Sequence, residues 1–170
     1  MKKRIISFAL AIVFAFGFVP YEAYANQPIR VAALNQLAHG ESRYYLTFSD
    51  VQPMMINERV FVPLGGLRGI SVVGSVEWDA DTSTVLFNTN WHHTSNYYVL
   101  TPGSNVVRAS LRYFVGDNEG FESLPDITVA VAPQIVDGRR MVPLRLLEDL
   151  GFGVTWEANA RTVLITYELF

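Results

Sequence analysis

Apolar and polar residues alternate along much of the chain, and this alternation predicts short β-strands. Near the C-terminus, Val154 and Trp156 stand before a polar turn, and Val163 and Ile165 follow it. Because alternate residues of a strand share one face, the stretch predicts a hairpin with one apolar side. A similar pattern earlier in the chain, with Trp78 before its turn, predicts a second hairpin.

Two further hairpins are predicted by their turn residues. Asp137-Gly138 lies between two apolar-rich stretches, and Asp-Gly readily takes the positive φ angles of a two-residue turn. Asn57-Glu58 fills the same place in the first half of the chain, where only the asparagine tolerates that backbone well. We therefore expect a tight hairpin at each of these positions.

A short helix is predicted after the later of these turns. Pro143 favours a helix start, because its fixed φ suits the first turn and its missing N–H costs nothing there. The residues that follow alternate between an apolar and a charged helical face, namely Leu144, Leu147 and Leu150 against Arg145, Glu148 and Asp149. Gly151 supplies a C-terminal stop. The matching stretch of the first half, 64–69, has three glycines and predicts a single turn or an irregular loop.

The same elements occur twice because the sequence repeats. Residues 51–64 and 131–144 share Val, Pro, Arg and Val-Pro-Leu at a spacing of 80, and residues 76–79 and 154–157 share Val-x-Trp before an acid at a spacing of 78. The repeat predicts an α+β, sheet-rich fold of two tandem units. Each unit has antiparallel β-hairpins around a short helix, in the order β-β-α-β-β, with bounds of about 29–89 and 106–167.

The N-terminal segment predicts export. Residues 1–4 are basic, residues 5–19 are an almost unbroken apolar run, and Ala23-Tyr24-Ala25 has the small-x-small pattern of a signal-peptidase site. The apolar run is shorter than the roughly 20 residues that a membrane-spanning helix needs. We expect a signal peptide at 1–25, cleavage near Ala25, and a domain at 26–170 that is secreted or held at the cell surface without membrane insertion.

Composition narrows the classes of partner. The chain has no cysteine, which excludes disulfides and cysteine-ligated metals. Its formal net charge is −3, and loss of residues 1–25 removes both lysines with one arginine and one glutamate, leaving −5. An acidic, lysine-free domain is a poor candidate for nucleic acid, which requires a clustered basic surface.

The motif residues of the second unit resemble the copper amine oxidase N-terminal-like domain, a stalk domain of exported proteins, especially from Gram-positive bacteria. The family pattern is roughly D-G-R-x-x-V-P-L-R-x-x-x-E-x-L-G followed by V-x-W-[DE]. The positions of this chain that carry it are Pro63, Leu64 and Trp78 in the first unit and Asp137, Gly138, Pro143, Leu144, Arg145, Glu148, Gly151 and Trp156 in the second. The resemblance implies an antiparallel sheet curled around a short helix in each unit, and it weakens where Gly65 and Arg68 replace Arg145 and Glu148.

The copper and quinone of the amine oxidases belong to a separate catalytic domain of those enzymes, and this sequence predicts no such centre. His92 and His93 are adjacent, so on a strand their side chains would point to opposite faces and could not hold one ion together. Asn96-Tyr97 copies only the central pair of the quinone-precursor motif, T-x-x-N-Y-[DE]. We therefore predict no metal, no cofactor and no catalytic residues.

The predicted function is a non-catalytic secreted or cell-envelope module that acts as a stalk-like scaffold or binding domain. The aromatics Trp91, Tyr97 and Tyr98 are the predicted partner-binding residues, while Trp78 and Trp156 are predicted to pack in the core. The partner is left open among a cell-wall polymer, a glycan and a protein. The alternative is a small secreted hydrolase that uses the acidic residues, which are Asp79, Asp81, Glu148, Asp149 and Glu157.

Overall fold

The computed structural model describes residues 27–37, 40–91, 94–116 and 118–168. The predicted signal peptide at 1–25 lies outside these ranges, as do His39, His92 and His93, so those predictions stay predictions. Within the described residues no helix is long and apolar enough to cross a membrane.

The described residues form thirteen strands in three sheets, and the fold is sheet-rich as predicted. The first sheet holds β1 (Arg30–Leu37), β2 (Gly40–Tyr45), β12 (Gly153–Glu157) and β13 (Thr162–Glu168). The second holds β3 (Met54–Ile56), β4 (Arg59–Pro63), β10 (Gln134–Val136) and β11 (Arg139–Pro143). The third holds β5 (Val73–Asp79), β6 (Thr84–Trp91), β7 (Thr94–Leu100), β8 (Val106–Val115) and β9 (Asn118–Thr128).

The helical segments are short. A six-residue 3-10 helix spans Leu64–Gly69, the α-helix α1 spans Leu146–Asp149, and a 3-10 turn spans Ala158–Ala160. The order hairpin, short helix, hairpin therefore occurs along the chain both at 54–91 and at 134–168. The hairpins of each segment are divided between sheets, since β3–β4 and β10–β11 share one sheet whereas β5–β6 and β12–β13 lie in two others.

One strand pair departs from the antiparallel arrangement implied by the family resemblance. Strand β1 pairs with β13 in parallel, from Arg30 opposite Thr162 to Gln36 opposite Glu168. Nearly the whole chain separates these two strands, so no tight turn dictates their relative direction. The N-terminal and C-terminal strands thus lie side by side inside one sheet.

The second sheet is centred on a symmetrical register. Val62 of β4 lies opposite Val142 of β11. On either side, Phe61 faces Pro143 and Pro63 faces Met141. Since Met141 and Pro143 stand 80 positions after Phe61 and Pro63, each strand meets the other through matching residues, as in a two-fold contact.

Both predicted tight turns are present. Asp137 and Gly138 have φ of +49° and +74°, and Asn57 and Glu58 have φ of +48° and +62°. Positive φ at both central residues matches the twist of the flanking strands, which explains why Asp-Gly fits the second turn. Glu58 adopts the same backbone without being glycine or asparagine, so the first turn carries steric strain.

The helix after β11 is shorter than the sequence predicts. Pro143 ends β11 opposite Phe61 rather than starting a helix, because strand pairing holds it extended. The predicted faces are nevertheless correct, since Leu144, Leu147 and Leu150 are buried. Gly151, at φ +93°, is the C-terminal stop: its N–H donates to the Glu148 carbonyl, and the Phe152 N–H donates to the Leu147 carbonyl. These two bonds form a Schellman motif.

The corresponding stretch of the first half is a 3-10 helix that ends at an extended Ile70, without a positive-φ glycine. Leu64 and Leu67 are buried, and the Ile70 N–H donates to the Leu67 carbonyl. Gly66 packs so closely on the Phe48 ring that a Cβ atom there would displace the ring. Glycines at this density favour the short 3-10 helix over a stable α-helical turn.

A single hydrophobic core joins the three sheets and includes Val31, Val62, Phe87, Leu147 and Ile165. The core prediction is partly right for Trp78, which is half-buried and packs against this cluster. It is wrong for Trp156, whose side chain is 42% exposed. Sequence position predicts which way a strand residue points, but what covers it depends on another part of the chain.

Candidate functional site

The three predicted partner-binding aromatics lie at different depths. Strand β7 alternates, so Tyr98 faces the core, where it is 5% exposed and its ring centroid is 6.2 Å from that of Phe87. Burial raises the pKa of the Tyr98 hydroxyl. Tyr97, on the opposite face, is half-buried, and its hydroxyl accepts a hydrogen bond from Arg112 Nη1 at 3.5 Å. Trp91 ends β6, and its side chain lies outside the described part.

Tyr98 is therefore not accessible to a partner, because its ring is buried in the protein. Two tryptophans border surface hollows instead, Trp78 together with Phe48 in one and Trp156 in another. Sequence reasoning assigned both to the core on their matched strand positions. The sequence difference that separates them is Arg140, whose guanidinium lies on the Trp78 ring, against Val60 at the equivalent position beside Trp156.

The first tryptophan hollow has a volume of about 300 Å³ and is bordered by Asp50, Pro63, Leu64, Val76, Trp78 and Val85, with Arg139 and Arg140 from the opposite half of the chain. It lies where β5 and β6 approach the β10–β11 hairpin. Both halves of the sequence thus contribute to it, which follows from the pairing of β4 with β11.

Three arginines of the chain make internal contacts at the first tryptophan hollow. The Arg140 guanidinium carbon lies 3.9 Å from the Trp78 ring centroid, a cation–π contact. Arg139 Nη2 lies 2.9 Å from Asp50 Oδ2 in an ion pair. Arg68 donates a hydrogen bond to the Val76 carbonyl. The tryptophan face and the arginines are therefore already engaged within the chain.

The second tryptophan hollow has a volume of about 220 Å³ and is bordered by Pro143, Leu144, Val154, Trp156 and Val163, with Met55, Glu58, Arg59, Val60 and Arg145 around them. Here Trp156 is 42% exposed and Met55 is 47% exposed. Arg59 and Arg145 are exposed, and within the described ranges neither makes an ion pair.

A third, adjoining hollow of about 160 Å³ continues from the second along α1. The two share Arg59, Pro143 and Arg145, and the adjoining hollow adds Glu148 and Asp149. Together they make a groove with an aromatic end, two arginines at its middle and two carboxylates at its other end.

The sequence profile of the copper amine oxidase N-terminal domain matches residues 42–165. The chain belongs to that family. The match covers nearly three quarters of the sequence and confirms the resemblance carried by the motif residues. No curated protein and no solved structure matches the chain.

In the copper amine oxidases this N-terminal domain is non-catalytic. In this member of the family, the described residues contain no group of three or more histidine, aspartate or glutamate side chains placed to hold a metal ion. The three histidines of the chain lie outside the described residues, so the prediction made for His92 and His93 stays a prediction.

Two of the acidic residues weighed for hydrolysis have structural contacts. Asp79 accepts a hydrogen bond from Thr82 Oγ1 at 2.7 Å and another from the Asp81 N–H at 2.9 Å, and these bonds lower its pKa. Glu157 accepts two bonds from Arg43, at 2.9 and 2.6 Å, and Arg43 lowers the Glu157 pKa. The Asp79 carboxylate thus stabilises the turn after β5, and the Glu157 carboxylate binds Arg43 at the end of β12.

Proposed function

We propose that this protein is a non-catalytic, exported module that binds a polymer or protein of the cell envelope or its surroundings. The observation that carries the proposal is the family match over residues 42–165, because that domain is non-catalytic in the copper amine oxidases. The groove beside Trp156 supports a binding role, since exposed tryptophan and unpaired arginine are typical contact residues of recognition surfaces.

We also propose that the binding module consists of two tandem copies of one unit. Support comes from the register about Val62 and Val142 and from positive φ at matching positions. Asn57 and Glu58 match Asp137 and Gly138, and Ser83 at +52° matches Arg161 at +44°. Burial also matches between the halves, at Leu67 with Leu147, Thr84 with Thr162, and Val85 with Val163.

Export is the part of the proposal that rests on residues 1–25. Their basic start, apolar run and Ala-x-Ala pattern are those of a secretory signal peptide. N-terminal sequencing of the protein recovered from culture medium and from the cell surface tests it. We expect Asn26 as the first residue, whereas recovery only from the cytoplasm with Met1 retained would contradict export.

Binding is tested by capture of envelope material. The protein, tagged at its C-terminus and purified from its host, is incubated with solubilised wall polymers and with culture supernatant. We expect specific retention of a polysaccharide or a protein that survives 0.15 M salt. Retention of neither, or turnover of a wall polymer lost in Glu148→Gln with Asp149→Asn, would count against a non-catalytic binding module.

A further inference from the structure

We propose that the second tryptophan hollow and the adjoining hollow form a binding site for an acidic disaccharide unit of a polysaccharide. A sugar ring stacks on Trp156, its carboxylate lies between Arg59 and Arg145, and the next, neutral ring lies beside Glu148 and Asp149. The inference rests on the proposed binding function and on the proposed duplication, and it names the ligand class.

The two tryptophan hollows are equivalent positions of the two halves. Pro63 and Leu64 of the first correspond to Pro143 and Leu144 of the second at a spacing of 80. At a spacing of 78, three further residues that border the first, Val76, Trp78 and Val85, correspond to Val154, Trp156 and Val163 of the second. Arg139, which borders the first hollow from the opposite half, corresponds to Arg59, which does the same for the second.

Replacements at equivalent positions decide in which hollow the tryptophan and the arginine are already engaged. Arg140, which lies on the Trp78 ring, corresponds to Val60, which has no cation to place on Trp156. Asp50, which pairs with Arg139, corresponds to Ala130, which has no carboxylate to offer Arg59. In the first hollow Trp78 and Arg139 are thus engaged by the chain's own side chains, whereas the second presents an exposed tryptophan and an unpaired arginine.

The internal contacts of the first hollow indicate what chemistry the second accepts. In the first, the planar guanidinium of Arg140 stacks on the tryptophan and the Asp50 carboxylate pairs with Arg139; of these two contacts, the ion pair is the one that an acidic ligand would reproduce at Arg59. A carboxylated pyranose can contact both Trp156 and Arg59. Its C–H face packs on an indole, and its carboxylate accepts paired hydrogen bonds from a guanidinium. An anionic ligand is favoured over a cationic one, since two arginines, Arg59 and Arg145, border the space against one carboxylate, Glu58.

The dimensions and the second set of charges indicate a disaccharide unit. At about 220 Å³ the second tryptophan hollow is smaller than the roughly 300–1,000 Å³ of sites for drug-sized ligands, so it suits a single ring. The adjoining hollow of about 160 Å³ carries the exposed carboxylates of Glu148 and Asp149. Carboxylates accept hydrogen bonds from sugar hydroxyls but repel another acid, so the neighbouring ring should be neutral.

The test compares two tetrasaccharides by isothermal titration calorimetry and by NMR of the tryptophan indole N–H groups. A hyaluronan tetrasaccharide alternates glucuronic acid with N-acetylglucosamine, whereas chitotetraose is neutral throughout, and sodium acetate supplies the carboxylate alone. We expect the hyaluronan probe to bind at least tenfold more tightly than chitotetraose, to shift the Trp156 indole signal, and to be displaced poorly by acetate.

The repeat supplies matched variants. Val60→Arg places on Trp156 the cation that Arg140 places on Trp78, and should abolish binding while the protein stays folded by circular dichroism. Arg59→Gln and Arg145→Gln should each weaken the hyaluronan probe by about tenfold without affecting chitotetraose, because each removes a charged donor to the carboxylate. Arg140→Val, the reciprocal control in the first tryptophan hollow, should leave binding unchanged.

Equal binding of the two tetrasaccharides, or unchanged binding in Val60→Arg, would overturn the assignment. So would displacement by acetate at equal concentration, which would reduce the site to an anion contact. If neither tetrasaccharide binds while the envelope capture retains a protein, the sugar site is wrong and the binding function stands. If the capture also fails, the proposed function itself is contradicted.

Discussion

Trp78 and Trp156 show how one residue type at matching strand positions takes two roles. Trp78 packs on the core and lies under the Arg140 guanidinium. Trp156 is 42% exposed and borders an open hollow. The difference in exposure arises from residues far away in sequence. Arg140 lies on the Trp78 ring, whereas its equivalent in the other half, Val60, has no charged group to place on Trp156. The burial of a tryptophan thus depends on both halves of the chain.

Truncation of the two tryptophans should have unequal effects on stability. Trp78→Ala should lower the free energy of unfolding by about 3 kcal/mol or more, as large core truncations do. Trp156→Ala should cost about 1–2 kcal/mol, because much of its side chain is already in water. Urea denaturation of both variants measures the difference, and an equal or larger loss for Trp156→Ala would show that its ring is core.

The ion pair between Arg43 and Glu157 should make the stability of the folded protein depend on pH through the ionisation of Glu157. Arg43 holds the pKa of Glu157 in the folded protein below its ordinary value. The pair therefore stabilises the folded state at any pH above the Glu157 pKa of the unfolded chain. This contribution is lost as the pH falls through the lower Glu157 pKa of the folded protein. Arg43→Gln should raise the Glu157 pKa, as read from its carboxyl ¹³C shift during titration. Arg30→Gln, which alters another arginine beside Tyr45, is the control and should leave it unchanged.

At the scale of elements, the tight turns are where local sequence fixes structure most directly. The turn at Asp137 and Gly138 has the residues that its positive φ angles require. The turn at Asn57 and Glu58 has the same backbone with a less suitable second residue. Glu58 also borders the second tryptophan hollow, so this strained turn lies at the rim of the proposed site.

Exchange of the turn residues should shift stability in opposite directions. Glu58→Gly should stabilise the protein by about 0.5–1 kcal/mol, since glycine adopts positive φ without steric cost. Gly138→Ala should destabilise it by about 1 kcal/mol for the same reason. Thermal unfolding followed by calorimetry measures both, and a loss of stability in Glu58→Gly would mean that contacts of the Glu58 side chain outweigh the strain.

The element after β11 shows what local sequence predicts and what it does not. The buried face of Leu144, Leu147 and Leu150 and the stop at Gly151 follow from spacing and from glycine's backbone freedom. The later start, at Leu146 rather than Pro143, does not follow from local sequence, because Pro143 is held extended by its pairing with β4. Long-range strand pairing overrides local helix preference at this boundary.

At the scale of the whole molecule, the sequence patterns predict the hairpins and turns, and the motif residues predict the family, but neither predicts how the two halves of the chain meet. Nothing in the spacing of 80 residues indicates that β4 pairs with β11 or that β1 lies parallel to β13. These contacts join segments distant in sequence and are decided by the burial of a common core. The site shows the same limit, since each tryptophan hollow combines residues of both halves.

The two halves of the chain meet through matching residues, with Val62 opposite Val142. Directly opposed strand residues have Cα atoms about 4.5–5.5 Å apart, within the range that a disulfide spans. The chain has no cysteine, so Val62→Cys with Val142→Cys is the only pair that can form. A control pair, Val62→Cys with Ile135→Cys, joins a core residue to a residue exposed on β10.

Mild oxidation of the two double variants, followed by non-reducing electrophoresis and intact mass spectrometry, tests the pairing of Val62 with Val142. We expect a monomeric intramolecular disulfide for Val62 with Val142, seen as the loss of two hydrogen atoms, and none for the control pair. Free thiols or only intermolecular links in the Val62–Val142 variant, in a protein that is folded by circular dichroism, would contradict the pairing and with it the equivalence of the two hollows.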